Sequence, residues 1–219
     1  MKFVFRWGFR LLILLIVLLV AFLLSIDAIA RAVVERRLRA ETGLDVRIGS
    51  LSVGLLSPVV TIENFKLYNK PEFGGSPMLD MPELHLVYDR NELMKRRLRC
   101  KLVRVSLAEL NLVQSAQGRI NCPLMSIAPL PTNSPALKML ASQRVAGFQF
   151  LGIDTLNLSV GRITALHMKD PKQVKELNMQ LRNRIVTNIE SVEALGFQLG
   201  FLVLEKKGGV ALIDFLTKS

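Results

Sequence analysis

A long apolar run near the N-terminus, interrupted up to Ile26 only by Ser25, constrains this chain more than any other feature. Residues 11–26 read LLILLIVLLVAFLLSI, and extending the run to Ile29 gives 19 residues. At about 1.5 Å per residue, such a helix is roughly 28 Å long and matches the hydrocarbon core of a bilayer. The run therefore predicts a transmembrane helix over residues 11–29.

Ala28-Ile29-Ala30 also has the small-x-small form of a signal-peptidase site. Because the run is longer than a usual signal peptide, we favour an uncleaved anchor.

Basic residues on either side of the run bear on its orientation. Lys2, Arg6 and Arg10 precede it, which favours a cytoplasmic N-terminus over residues 1–10. Arginines beyond the other end, beginning with Arg31, weaken this assignment. We expect a single-pass membrane protein, with the bulk of the chain outside the cytoplasm.

A second helix is predicted beside the membrane over residues 30–42. Its apolar residues fall on one side and its arginines on the other. The apolar residues are Ile29, Val33, Val34 and Leu38. Gly43 suits the left-handed position that follows a helix end.

Short segments of alternating apolar and polar residues follow, up to about residue 122. In one of them, Leu84 and Leu86 alternate with Glu83 and His85. Such alternation predicts strands with one apolar and one polar face. Its phase slips repeatedly, for example between Leu107 and Leu110. The slips lie between Ile48 and Leu51, between Ile62 and Phe65, at Leu102-Val103, and between Leu107 and Leu110. Because a slip needs an extra residue, or β-bulge, the slips predict a strongly curved sheet; the alternative is turns between shorter strands.

The second half of the chain is divided by composition. Residues 123–147 are rich in proline and predict a linker with a short helix. Alternation resumes over residues 148–187 and predicts further strands, with a hairpin turn at Asp170-Pro171-Lys172. Residues 188–219 predict a C-terminal amphipathic helix and tail. This helix either packs against one face of the sheet, which we favour, or lies in the interfacial plane of a membrane.

The net charge suggests an anionic partner. The chain has 29 lysines and arginines against 18 acidic residues, a formal net charge of +11. Beside a membrane, this charge suits anionic lipid headgroups, although scattered basic residues can also simply solvate a polar face. The headgroup candidates are Arg36, Arg37, Arg39, Arg96, Arg97, Arg99 and Lys101. No aromatic residue is interleaved with the cluster at 96–101 to stack bases, so we expect no nucleic-acid partner.

Catalytic and metal-binding patterns are absent from the sequence. There are two histidines: His85 reads as an exposed strand residue and His167 has no visible partner. Cys100 and Cys122 match no metal-ligand spacing; they are either buried free thiols, which we favour, or a disulfide. No phosphate-binding loop, dinucleotide fingerprint or nucleophile elbow occurs. We therefore expect no enzyme activity, no metal and no cofactor.

Residues 1 to about 122 resemble the N-terminal region of AsmA-like proteins. The resemblance rests on GLDVRIGSLSVG at 43–54, NFKLYNKPEFG at 64–74, LDMPEL at 79–84, and on Leu110-Asn111-Leu112 and Gly118-Arg119-Ile120-Asn121. It implies an inner-membrane protein with a mainly β, curved and open antiparallel sheet of taco-like shape, with the β domain at 43–122 in the periplasm. It also implies phospholipid transport or outer-membrane biogenesis, since the family is similar to chorein-type bridge-like lipid transfer proteins. This chain is much shorter, which puts bridging between membranes in doubt.

An apolar groove on the sheet is the candidate site that the resemblance implies. A lipid chain gains about 0.8 kcal/mol per buried methylene in such a groove. The candidate lining residues are Val46, Ile48, Val53, Leu84, Leu86, Leu110, Leu112, Leu156, Leu158, Val160, Leu177, Met179 and Leu181. The alternative is that they form an ordinary core beneath the C-terminal helix. A second functional hypothesis is a scaffold protein of the cell envelope, whose sheet edge pairs with another envelope protein or a second copy.

Overall fold

The computed structural model describes residues 27–40, 42–54, 57–121, 144–145 and 147–217. The predicted cytoplasmic segment and most of the predicted transmembrane helix lie outside the described residues, as does most of the Pro-rich segment. Within the described part of the chain, no helix is long and apolar enough to span a bilayer.

In the described part of the chain, eight strands form a single open sheet, and helices follow it at the C-terminus. The strands are β1 (Asp45–Arg47), β2 (Ser50–Val53), β3 (Val59–Tyr68), β4 (Pro77–Tyr88), β5 (Arg97–Gln114), β6 (Arg144–Val145), β7 (Phe148–His167) and β8 (Asp170–Ile189). The helices are α1 (27–40), α2 (Arg90–Met94), α3 (Val192–Glu205) and α4 (Gly209–Thr217), with a 3-10 turn at Pro71–Phe73. The fold is therefore mainly β, as the alternation predicts.

The strand order corrects the expectation of an antiparallel sheet. β1 and β2 pair end to end along one side of β3, and β4, β5, β7 and β8 follow in turn. All of these pairs are antiparallel except β5–β7, which is parallel from Arg97↔Gln149 to Gln114↔His167. A parallel pair needs a long return connection, and residues 115–147 provide one. The alternation pattern does not reveal this pairing because it carries no strand direction.

The helix beside the predicted membrane segment forms where the sequence predicts it. It ends before Gly43, whose φ is +66° and whose amide donates to the Arg39 carbonyl at 2.9 Å. Its buried side is partly different from the prediction. Ile29 and Val33 are more than half exposed. Ala30, Val34 and Leu38 pack against β1 and β2 instead.

The C-terminal region also differs from its predicted boundaries. The turn between β7 and β8 is at Met168-Lys169, because β8 already begins at Asp170. β8 continues to Ile189, past the predicted end of the strands at residue 187. Two helices then follow instead of one, and the break between them includes Gly208 at φ +97°.

Directly paired residues place apolar side chains in rows that run across one face of the sheet. Side chains of paired residues point to the same side. One row consists of Val46, Leu67, Leu79, Leu110, Ile163 and Leu177. Another consists of Val53, Val60, Leu86, Val103, Leu156 and Val186. A third, between them, consists of Leu51, Ile62, Leu84, Val105 and Leu158. The third row ends at Arg184 of β8, which pairs with Leu158. One face is therefore apolar from β1 and β2 to β7, and on β8 it carries both apolar residues and Arg184.

A line of interrupted pairing crosses the sheet between the first row and the other two. The interruptions fall at Gly49, Asn64, Pro82, Ala108, Gly161 and Gln180. Asn64 and Gln180 adopt φ of 53° and 44° there. The slips that the sequence shows between Ile62 and Phe65 and between Leu107 and Leu110 lie on this line. Each strand carries an unpaired residue there, so the same face stays apolar on both sides of the line. The pairing register between β3, β4, β5 and β7 does not shift at the line, whereas that between β7 and β8 does.

Candidate functional site

The C-terminal helices cover one part of the apolar face. α3 packs on β8, whereas α4 contacts β5, β7 and β8. Leu202 and Val203 of α3 and Leu212 and Leu216 of α4 are buried in a cluster with the side chains of these strands. This part of the face is an ordinary hydrophobic core.

Helix α1 covers the opposite edge of the sheet through a ladder of charged side chains. Four residues spaced four apart, with alternating charge, form hydrogen bonds with backbone groups of β1, of β2 and of the two residues between them. We call these four residues the edge ladder. Asp27 Oδ1 accepts from the Val53 amide at 3.2 Å, Arg31 donates to the Gly49 carbonyl at 2.7 Å, Glu35 Oε1 accepts from the Ile48 amide at 2.8 Å, and Arg39 donates to the Val46 carbonyl at 2.6 Å. The edge of β1 and β2 is thus closed to further strands.

Between these two covers, the apolar face is only partly buried. The α1 side forms one buried cluster and the α3–α4 side forms another, and the two meet at β3 and β4. Val60 and Ile62 of β3 pair directly with Leu86 and Leu84 of β4, and all four keep part of their surface accessible. We call these four residues and Val105 the apolar strip. It is flanked by a helix on each side.

The candidate groove residues fall on both the covered and the open parts of the face. Leu84 and Leu86 lie in the apolar strip, whereas Val53 and Leu110 are half-buried beside it. The candidates of β1, β7 and β8 are mostly buried. These are Val46, Ile48, Leu156, Leu158, Val160, Leu177 and Met179, together with Leu112 of β5; Leu181 is half-buried. Val60, Ile62 and Val105 were missing from the candidates, although the alternation of β3 and β5 already marked them as apolar.

The headgroup candidates are divided between two places. Arg36 and Arg37 are exposed on α1, and Arg39 belongs to the edge ladder with an ion pair to Asp45 at 3.2 Å. Asp27, at the start of α1, accepts a hydrogen bond from Val53, and Val53 shares a row with Val103 of β5, which follows the cluster at 96–101. The cluster therefore lies at the end of the sheet where α1 begins. We call this the Asp27 end. The start of α1, at this same end, follows the apolar N-terminal run in sequence, whereas Arg36, Arg37 and Arg39 lie toward the other end of α1.

Most of the basic cluster is ion-paired. Arg97 contacts Glu92 at 2.6 Å, Arg99 contacts Asp154 at 2.9 Å and Lys101 contacts Asp89 at 3.6 Å. Arg97, followed by Lys95, lowers the pKa of the Glu92 carboxyl by hydrogen bonding. The pKa of Asp89 is lowered chiefly by the Glu92 amide, because Asp89 is the N-cap of α2. These contacts hold the α2–β5 turn in place.

The remaining polar side chains have structural partners. His85 Nδ1 lies 2.9 Å from Thr61 Oγ1 on the polar face. His167, for which the sequence shows no partner, donates from Nε2 to the Phe215 carbonyl at 2.6 Å. Cys100 is buried and free, whereas Cys122 lies outside the described residues. No cluster of metal-ligating side chains occurs in the described part of the chain.

A cleft lies along the line of interrupted pairing, and its lining is more polar than the apolar strip. It encloses about 690 Å³ and includes Ser106, Ser159, Arg182 and the ion pair between Arg162 and Glu109 at 3.2 Å. Gly161 lines it, and a Cβ atom there would lie 2.5 Å from the Ala108 carbonyl oxygen. The glycine therefore permits close approach of β5 and β7.

The edge ladder was missed from the sequence, although a signal for it is present. Asp27, Arg31, Glu35 and Arg39 repeat every four residues with alternating charge, which places them on one helical face. Their arginines were assigned to the solvent side of the helix.

Comparison with known proteins gives no relative: no family model matches the chain, and neither a curated protein nor a solved structure is similar to it.

Proposed function

We propose that this chain is an AsmA-like protein, anchored in the inner membrane with its sheet in the periplasm, that binds phospholipid on the apolar strip. It would contribute to lipid transfer or to outer-membrane biogenesis. The observation that carries the proposal is the partly exposed strip between two helix-covered clusters. An apolar surface flanked by helices suits an acyl chain, because each buried methylene contributes about 0.8 kcal/mol.

The position of the strip relative to the N-terminal run supports this proposal. The strip runs from β3 to β5, and its end at Val60 and Leu86 lies toward the Asp27 end, because these two residues share a row with Val53. The apolar run precedes α1 directly in sequence. A lipid leaving a membrane at that end would meet the basic turn at 96–101 and then the strip. The register shifts between β7 and β8 near this line also support a bent sheet, because bulges increase strand twist.

Photo-crosslinking of the full chain in nanodiscs tests the proposal. A photo-reactive amino acid replaces Leu86 and, as the matched control, His85, which is the next residue and points to the opposite face. We expect a phospholipid adduct from position 86 and none from position 85, detected by mass spectrometry of the intact chain. Equal lipid adducts from both positions, or none from position 86, would contradict the proposal.

A substitution within the strip provides the second arm. Leu84→Arg places a charge two residues from the crosslinker, and its side chain can reach water because Leu84 is partly exposed. We expect the adduct at position 86 to fall at least severalfold while the circular dichroism spectrum is unchanged. Leu158→Arg is unsuitable because Leu158 is 5% exposed in the covered core.

The scaffold hypothesis is the alternative, and one observation favours it. Strand β8 has 20 residues and pairs with β7 alone among the described strands, so its other edge is open. Positive φ at Gln180, Asn183 and Asn188 interrupts this edge, which disfavours strand addition. A protein adduct instead of a lipid adduct from Leu86 would support this alternative.

A further inference from the structure

The apolar strip continues along β3 and β4 beyond the line of interrupted pairing. On β3, Phe65 and Leu67 follow Val60 and Ile62 and are half-buried beside the cluster on the α1 side. Leu79 of β4 pairs with Leu67 and is also half-buried. Leu67 lies seven residues after Val60, so this accessible surface is at most about 23 Å long at about 3.3 Å per residue. We call the surface from Val60 to Leu67, with the facing part of β4, the trough.

A buried polar pair closes the trough at the end where β3 finishes. Asn69, which comes directly after β3, is only 5% exposed. Its Oδ1 accepts a hydrogen bond from Nδ2 of Asn121 at 2.7 Å. Asn121 also donates to the Asn111 carbonyl at 2.8 Å and accepts from the Val113 amide at 2.9 Å. An acyl chain could pass this point only by breaking these hydrogen bonds, which leaves buried polar groups without partners.

The opposite end of the trough, the Asp27 end, carries a surplus of positive charge. The turn from β4 to β5, over residues 89–101, has six basic and two acidic side chains, and Asp154 beside it is a third acidic group. All three acidic groups are ion-paired within the turn. Arg96 is exposed and forms no ion pair within the described part of the chain. A lipid phosphate is therefore better compensated at this end than beside the asparagine pair.

We propose that the trough binds one acyl chain of a phospholipid lengthwise, with the headgroup at the Asp27 end and the terminal methyl group toward Asn69. This inference rests on the proposed function and adds to it an orientation and a limit of chain length. One leaflet of a bilayer holds hydrocarbon about 15 Å thick, half of the core. A chain of ordinary length therefore fits within the trough, whereas a much longer chain would meet the polar pair.

The closed end also bears on how lipid would move. A chain held in this way enters and leaves by the same end, because the asparagine pair blocks the other. The described part of the sheet would thus carry a single lipid and release it where it was taken up, instead of conducting a file of lipids along its length.

Photo-reactive phospholipids in nanodiscs test the orientation in the full, unaltered chain. Two phosphatidylglycerol probes carry a diazirine in a palmitoyl chain, one beside the carbonyl group and one at the methyl end. Peptide mass spectrometry locates the adducts after irradiation. We expect the carbonyl-end probe to label Val60 and Leu86, and the methyl-end probe to label Leu67 and Leu79. The same distribution for both probes, or the reverse order, overturns the orientation and leaves lipid binding intact. Absence of adducts on β3 and β4 with either probe contradicts the proposed function as well.

Chain length provides the second arm. A methyl-end probe with a lignoceroyl chain, half as long again as palmitoyl, should label the trough severalfold less in the natural chain. Leu67→Trp fills the closed end, so it should reduce palmitoyl labelling severalfold and leave labelling by the shorter lauroyl probe unchanged. Val174→Trp, at a side chain outside the trough that is 52% exposed, is the matched control and should alter neither. Equal labelling by lignoceroyl and palmitoyl probes in the natural chain overturns the length limit, whether or not the tryptophan variant folds.

Discussion

Glu35 on α1 accepts a hydrogen bond from the backbone amide of Ile48 at 2.8 Å, across the edge of the sheet. An edge strand exposes unpaired amides and carbonyls that invite pairing with another chain. Here, carboxylates meet amides and guanidinium groups meet carbonyls along the length of α1. The helix therefore occupies the place of a further strand at the β1–β2 edge. At the opposite edge, no strand among the described residues pairs with the outer side of β8.

Glu35→Ala should destabilise this edge. It removes the acceptor of a part-buried amide, and an unsatisfied amide costs about 1–3 kcal/mol. We expect a loss of that size in the free energy of unfolding, and faster hydrogen exchange at the amides of Ile48 and its neighbours. Arg36→Ala, one residue away and exposed, is the control and should change neither quantity. Unaltered exchange at Ile48 in the Glu35 variant would show that the ladder does not protect the edge.

Gly161→Ala should destabilise the sheet at the line of interrupted pairing. A Cβ atom would lie 2.5 Å from the Ala108 carbonyl, so β5 and β7 would have to separate. Overpacking of this kind costs about 1–3 kcal/mol. Gly196→Ala on α3 is the contrast, because nothing lies within 4 Å of its Cβ position. In a helix this change should stabilise by up to about 1 kcal/mol. Urea denaturation of both variants measures the two opposite signs, and equal signs would refute the close approach.

The strands and the positions at which their alternation slips could be predicted from sequence because their physical signal is local. Side chains alternate with a period of two, so Ile62 and Phe65 can share a face only if the backbone gains a residue between them. The structure places Asn64 there, at φ 53°. The parallel pairing of β5 with β7 could not be predicted, because alternation within each strand is the same for either direction.

The extent of the open face also could not be predicted from sequence. Leu86 and Leu158 have equivalent strand patterns, yet Leu158 is buried and Leu86 is partly exposed. The difference arises because α3 and α4 fold back over β7 and β8, and only tertiary packing determines where they lie. The roles of Arg31 and Arg39 were missed for a similar reason: a charged side chain that binds backbone has the same pattern as one in solvent.

Cys100 should make stability depend on alkaline pH. Burial, and secondarily the Asp154 carboxylate, raises the pKa of its thiol to about 11. An unfolded thiol ionises near about 8.5. The unfolded state thus loses its proton first as pH rises, and stability falls between about pH 9 and about pH 11. Below that window the thiol contributes no pH dependence. The stability difference between the natural chain and Cys100→Ala should therefore narrow from about pH 8 to about pH 10.5 in urea titrations. A constant difference would mean that the thiol is not desolvated.

Gln114 and His167 end β5 and β7 side by side and together hold the end of α4. Gln114 Nε2 donates to the Leu216 carbonyl at 3.1 Å, and His167 Nε2 donates to the Phe215 carbonyl at 2.6 Å. Carbonyls in the last turn of a helix have no partner within the helix. The final pair of the parallel ladder thus satisfies two of these carbonyls and fixes α4 over the core.

Replacing both residues by alanine should release α4 while the sheet stays folded. Each lost hydrogen bond removes about 0.5–1.5 kcal/mol. Hydrogen exchange should become faster at the α4 amides, including that of Leu212, which bonds to the Gly208 carbonyl, and stay unchanged in β3 and β4. Gln117→Ala, in the exposed turn beyond β5, is the matched control. If α4 exchanges at its original rate in the double variant, apolar contacts of Leu212 and Leu216 alone position the helix. If exchange accelerates as expected, the extent of the covered face is set by two polar side chains at the ends of β5 and β7.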